Sequence, residues 1–195
     1  MVSQGQYFNP LTSLYLFPRG EDFSDVAVYE RYDDLSGVNT QYWPYGDLGG
    51  VSSQNPYWIM NRMNRENDRR RYKLAASLQY NIIEGLNVQG RVSIDNTESK
   101  YTEKFHAGTV GNFAGPKGRY KEENRLDRQV YADVLANFNK TFNEFNVTAN
   151  LGASIKDLRM ELTSLHGDLN NVTNHFTIEN LSLIHISEPT RHAQI

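Results

Sequence analysis

Cysteine is absent from the 195 residues. That removes disulfides, thiolate zinc sites and cysteine nucleophiles together, and leaves the compartment open. No apolar run approaches the roughly 20 residues of a spanning helix. An excess of one charge is missing too: the net charge is -3, so nothing points to a general binder of nucleic acid or anionic membrane. Met1 to Gly5 shows neither a basic nor an apolar leader segment, so a signal peptide is not expected at this start. Mean hydropathy is low, at -0.64. This does not exclude a membrane protein, because a barrel strand needs only about 9–11 residues with alternate ones apolar.

Motifs for chemistry are scarce. His106, His166 and His175 stand alone in expected loops, and no H-x-x-x-H or carboxylate–His pairing accompanies them. Gly108, Gly111, Gly115 and Gly118 lack the order of a phosphate loop and open no helix. Asp33-Asp34 and Glu122-Glu123 are adjacent acidic pairs that read as solvated surface, since glycoside hydrolysis needs carboxylates at a fixed separation across a cleft. Asn139, Asn146 and Asn171 begin glycosylation-type triplets that read as chance matches. No catalytic residue, cofactor or metal ligand is expected, and the chain does not read as an enzyme.

What is present is alternation. In Tyr72 to Ile82 every second residue is Tyr72, Leu74, Ala76, Leu78, Tyr80 and Ile82, against Arg71, Lys73, Ala75, Ser77, Gln79 and Asn81. Leu86 to Asn96 splits into Leu86, Val88, Gly90, Val92, Ile94 and a polar set of Asn87, Gln89, Arg91, Ser93, Asp95. Gln129 to Phe138 and Val147 to Ile155 split the same way, through Val130–Val134–Phe138 and Val147–Leu151–Ile155. A period of two puts each set on one face of a strand. Ile83-Glu84-Gly85 and Thr141 to Glu144 are hairpin-length connections. Four strands in two hairpins are therefore expected across 71–160, with a long polar loop at 97–125. Residues 1–70 hold closely spaced turn dipeptides such as Asn9-Pro10, Trp43-Pro44 and Asn55-Pro56, and read as one long loop region. The Asn61–Arg71 charge cluster reads as a solvated strand extension.

Two residue groups stand out. Tyr42, Trp43, Tyr45, Tyr57 and Trp58 offer broad faces with polar handles. They either contact a sugar or a partner protein, or pack within the loop and fix its shape. Tyr72 and Tyr80 bracket an apolar row as an aromatic girdle does at a membrane boundary.

Tyr7 to Thr12, Leu14 to Gly20, Asn55-Pro56-Tyr57-Trp58 with Asn61-Arg62, Gly118-Arg119-Tyr120 and Asn139 to Phe142 together resemble the SusC/RagA family of TonB-linked outer-membrane proteins (TonB-dependent receptors). The resemblance covers roughly Val2 to Asn180. It implies an internal barrel fragment, with Met1 an internal methionine, lying downstream of a signal peptide, a TonB-contacting segment and a plug. It further implies import of glycans, oligosaccharides or peptides across the bacterial outer membrane, with a SusD-like surface lipoprotein and TonB as partners. The fold class expected is all-β, a fragment of an up-and-down antiparallel transmembrane β-barrel with long extracellular loops. Leu74, Leu78, Val88, Val92, Val134 and Leu151 would then face outer-membrane lipid.

A secreted carbohydrate-binding β-sandwich and a passive porin are the competing readings. Small residues in the apolar rows (Ala76, Gly90, Ala132, Ala136, Ala149, Ala153) fill a sandwich core poorly but are harmless against lipid. Connections that alternate short, long, short match periplasmic turns and extracellular loops. A sandwich scatters its long connections instead.

Residues 161–180 read as the start of the next extracellular loop. Leu181 to Ile195 matches a translated transposase-type sequencing adapter, and this tail is expected to be non-native and to add nothing to the fold.

Overall fold

The computed structural model describes residues 9–15, 17–45 and 54–182. Its elements run α1 (Pro10–Tyr15), a 3-10 turn (Phe23–Ala27), β1 (Glu30–Asp33), β2 (Val38–Gln41), α2 (Pro56–Arg62), β3 (Met63–Ile83), β4 (Leu86–Phe105), β5 (Arg119–Phe142), β6 (Phe145–Asp168) and a 3-10 turn (Ile178–Asn180). β1 and β2 form a small antiparallel hairpin, Glu30 opposite Gln41 and Asp33 opposite Val38. The long strands form an open four-stranded meander in the order β3-β4-β5-β6, as the alternation predicts.

The turns follow from their residues. Gly85 sits at φ 86°, in the left-handed region, within the two-residue connection Glu84-Gly85 that joins β3 to β4. Asn143 takes φ 51° between β5 and β6, a conformation asparagine tolerates better than most residues.

The long strands are longer than the sequence suggests, at 21, 20, 24 and 24 residues. The loop expected at 97–125 shrinks to residues 106–118, because β4 continues to Phe105 and β5 starts at Arg119. β6 likewise runs through the expected loop 161–180 as far as Asp168. The reason is physical. Beyond the apolar rows of β3, β4 and β5 both faces are largely polar, so alternation fades while backbone pairing goes on; in β6 it passes to the other face, through Leu158, Met160 and Leu162. Residues 1–70 are also not one loop where described. Pro56 opens α2 at its first turn, where a missing N–H costs nothing, and Asn55 caps it through Oδ1 to the Tyr57 N–H at 2.9 Å.

Contacts divide the described residues into two compact units. The first holds residues up to 67, 101–123 and 164–182. Its core is Trp58, Ile59, Met63, Phe105 and Ala114, with Tyr29 and Phe113 against it. A smaller cluster gathers Tyr120, Leu169 and Leu181, with Phe176 beside them. Leu181 is the first residue of the tail expected to add nothing. It nevertheless pairs with Leu169 and is 8% exposed, while the Ser182 N–H donates to the Asp168 carbonyl at 2.9 Å. An open strand end accepts almost any extended segment. Residues 183–195 lie outside the described residues.

Gly108 makes a close approach in this unit. At φ 85° its added Cβ would land on the Asn39 carbonyl and lie 2.7 Å from the Thr40 Cα. Gly108→Ala should therefore cost about 1–3 kcal/mol, from left-handed strain plus collision with β2. Hydrogen exchange at the Gln41 N–H, which bonds the Gly108 carbonyl at 3.3 Å, should rise. Unchanged protection there would contradict the assignment.

The second unit, residues 68–100 and 124–163, contains the alternating rows. Side-chain contacts between neighbouring strands fix their faces. Arg71 on β3 grips Asp95 on β4 through two bonds of 2.9 and 2.6 Å. Arg91 on β4 reaches Asp133 on β5 at 2.9 Å, and Asn137 Nδ2 donates to Asn87 Oδ1 at 2.9 Å. A Cβ on Gly152 of β6 would lie 3.1 Å from Leu135 Cδ1 of β5. Every one of these residues belongs to the interleaved, mostly polar set. That set therefore shares one face across all four strands, and the apolar rows share the other.

Candidate functional site

The apolar rows lie open. Leu74 is 64% exposed, Leu78 77% and Leu151 78%; Val92 and Val134 are also exposed, and Val88 is half-buried. Each row spans about 9–11 residues. At ~3.3 Å per residue and the ~40° tilt usual in barrels, that is a band ~20–25 Å tall, close to the height of a lipid-facing barrel belt. Aromatic rings edge it. Tyr80, Phe142 and Phe145 are exposed near the hairpin turns, and Tyr72 is exposed at the other end of its row.

The opposite face is held by ions and amides. Arg91 stays 53% exposed while the carboxylate it binds, Asp133, is 6% exposed. Arg71 and Asp95 show the same asymmetry, at 56% and 20%. The bidentate Arg71–Asp95 geometry gives directional as well as electrostatic hold, and with the single Arg91–Asp133 bond it helps pin strand register. A face with wet guanidinium groups cannot sit against hydrocarbon without a large cost. The sheet is thus apolar on one side and hydrated on the other.

In the first unit the five aromatic candidates part company. Trp43 and Trp58 are buried, at 1% and 0% exposure, so neither offers a face to a ligand. Trp58 Nε1 donates to Thr109 Oγ1 at 3.2 Å. Tyr45 packs edge-on to Phe17 and to Trp43, with ring centroids 4.8 and 5.5 Å apart. Tyr57 stacks near Tyr29 at 6.5 Å, and the Arg31 guanidinium lies 3.4 Å above the Tyr42 ring. Tyr42, Tyr45 and Tyr57 remain partly exposed, but all five rings serve the packing of this unit.

Asn55 organises it. Fully buried, its Nδ2 donates to the carbonyls of Val26 at 2.9 Å and Tyr42 at 3.0 Å, and its backbone N–H donates to Gln41 Oε1 at 3.0 Å. One side chain thereby ties the 3-10 turn, the segment after β2 and the start of α2. Asn180 does similar work in its own loop, accepting from the N–H groups of Asn171 and Val172 and donating to the carbonyls of Val172 and His175.

A polar cluster that the sequence conceals lies nearby. Arg62 binds Glu30 at 2.8 and 2.9 Å, although the two are 32 positions apart. His106 Nδ1 lies 2.9 Å from the Arg62 carbonyl, which selects the tautomer with hydrogen on Nδ1. A cavity of about 380 Å³ is lined by Tyr32, Asn39, Trp58, Arg62, His106 and Asn174 among others. It presents hydrogen-bonding groups and the Tyr32 ring; Trp58 borders it but is 0% exposed. Among the described residues no group of three or more His, Cys, Asp or Glu could hold a metal ion.

Burial holds the His106 imidazole below its ordinary range, and the nearby Arg62 charge adds to this against the opposing hydrogen bond to the Arg62 carbonyl. The Arg62 hydrogen bond holds Glu30 low. Tyr101 is pushed up to about 12, by burial and then by Glu103, so it stays a neutral donor to that carboxylate. The His106 shift predicts a pH dependence. An unfolded histidine takes a proton near 6.5 and the folded one resists it, so the contribution is complete above pH 6.5 and is lost as pH falls below it. Local opening by hydrogen exchange should grow as pH drops from about 7 to 5. His106→Gln should flatten that slope; an equal slope in the variant would refute the assignment.

No protein-family profile matches the chain, and no curated protein matches it. No helix among the described residues is long and apolar enough to cross a membrane, which leaves strands untouched.

Proposed function

We propose that this chain is part of the wall and loops of an outer-membrane, TonB-dependent transporter of the SusC/RagA type, in which strands outside this chain complete a closed barrel. The supporting observation is the pairing of two faces on one sheet. Exposed apolar rows of bilayer height back onto a face held by Arg71–Asp95 and Arg91–Asp133. A sheet with open edges is not viable in lipid, so the remaining strands must come from elsewhere. The apolar rows face lipid and the ion-paired face lines a wet lumen. Transport of a glycan, oligosaccharide or peptide, with a SusD-like lipoprotein and TonB as partners, is what the sequence resemblance adds.

The reading is tested on the parent gene. Its full-length product should fractionate with the outer membrane, and the DNA upstream of Met1 should encode a plug. A product found in the soluble fraction contradicts membrane insertion. A barrel with no encoded plug makes the protein a passive porin.

A further inference from the structure

The wet face of the second unit carries a surplus of cations. Arg69, Arg71 and Lys73 of β3, Arg91 of β4, Arg125 of β5 and Lys156 of β6 belong to it, against the carboxylates of Asp95, Asp127 and Asp133. The chain as a whole is acidic, at -3, so this face runs against the composition. The ion pairs sharpen the sign. In Arg71–Asp95, Arg91–Asp133 and Arg125–Asp127 the guanidinium is the more exposed partner each time. Arg69, Lys73 and Lys156 are exposed and pair with no carboxylate among the described residues. Arg91 is set to hold an anion. Its Nε–H donates to Asp133 Oδ1 at 2.9 Å, and neither terminal amino group donates to a described residue. A groove of about 410 Å³ is lined by Arg91 with Ala75, Ser77, Ser93, Tyr131 and Asp133 of the same face, and by Ala76 and Val92 between them in sequence. Alanine and serine leave the space beside the guanidinium open.

We propose that this face binds a carboxylate-bearing oligosaccharide, with one carboxylate on the Arg91 fork and neighbouring ones drawn by Lys73 and Lys156. The inference rests on the transporter reading above and names a substrate class within it.

Charge complementarity carries it. Asp133 orients the guanidinium and cancels its charge locally, yet the fork still offers paired N–H donors to a planar carboxylate. The unpaired cations supply the longer-range attraction. Ser77, Ser93 and Tyr131 add hydroxyls that both donate and accept, as the hydroxyls of a sugar do. A polyacidic peptide would bring carboxylates without hydroxyls to meet them.

The test places the full-length parent, whose further strands close the barrel, in bilayer nanodiscs and titrates it calorimetrically. The probes are oligogalacturonate, the same oligomer as its methyl ester, and oligoglutamate of equal charge. The free acid should bind more tightly than the ester, and added salt should narrow the gap. Lys73→Gln and Lys156→Gln should each weaken binding of the acid about two- to fivefold and leave the ester unchanged. Arg91→Lys keeps the charge but loses the fork, and should weaken the acid as well. Arg128→Gln removes an exposed cation from the opposite face and should change nothing. Equal or undetected binding of acid and ester, or an equal loss in Arg128→Gln, overturns the site while leaving the membrane reading intact. So does oligoglutamate binding as tight as that of the sugar acid, because charge alone would then decide. A parent found in the soluble fraction overturns both.

Discussion

Trp58→Ala should unfold the first unit's core without touching any recognition surface. Trp58 is completely buried among Ile59, Met63, Phe105 and Ala114. Removing it leaves a cavity and strips the Thr109 hydroxyl of its indole partner. Losses of this kind run to about 3–5 kcal/mol, or a hundredfold and more in the opening equilibrium. Hydrogen exchange should show it at the Ile59, His106 and Phe113 amides, which bond the carbonyls of Asn55, Arg62 and Val110. Were Trp58 a stacking platform for sugar, alanine would abolish ligand binding and leave those amides protected. That outcome would contradict its burial.

Leu78→Arg should be as damaging in a bilayer and harmless in water. Leu78 stands mid-row between Tyr72 and Ile82 and is 77% exposed. At the middle of a lipid-facing belt an arginine costs about 2–4 kcal/mol. Carried in the full-length parent, the substitution should lower insertion into vesicles and the unfolding midpoint in bilayers. In aqueous buffer the sign reverses, because an exposed apolar row is an aggregation liability that a charge breaks. Gln79→Arg, one residue along and on the wet face, should do little in either medium. Equal effects at positions 78 and 79 would mean that the two faces do not see different solvents.

The sheet was largely legible because a strand with one apolar and one polar face imposes a period of two that survives in sequence. Leu74-x-Ala76-x-Leu78 cannot sit on one face by accident across four segments with hairpin-length gaps. Beyond Tyr72 and Ile94 that signal stops, since Glu98, Ser99 and Lys100 are polar on both faces. Only backbone hydrogen bonding keeps the strands going there, and backbone bonds leave no residue pattern. The first unit was harder for a different reason. Trp43 and Trp58 lie among turn residues with no period to declare their burial, and a ring there reads equally well as core or as surface. The Glu30–Arg62 pair was hidden by separation, because an arginine in a run with Arg65 and Arg69 looks like any solvated charge. Asn55 carried one visible signal, its place before Pro56 at a helix start; its bonds to Val26 and Tyr42 exist only in three dimensions.

The absence of cysteine from the whole chain allows the central claim, one face in lipid and one in water, to be tested with single introduced thiols. Leu78, Val92, Val134 and Leu151 are each replaced by cysteine, and so are Gln79, Gln89 and Asn150 on the opposite face. Each variant is made in the full-length parent, whose further strands close the barrel, then reconstituted into bilayers and exposed to a membrane-impermeant maleimide. The account predicts rapid labelling at Gln79, Gln89 and Asn150, and protection at the four apolar positions until detergent or denaturant is added. Labelling of Leu78, Val92, Val134 and Leu151 at the rate of the polar positions would contradict it.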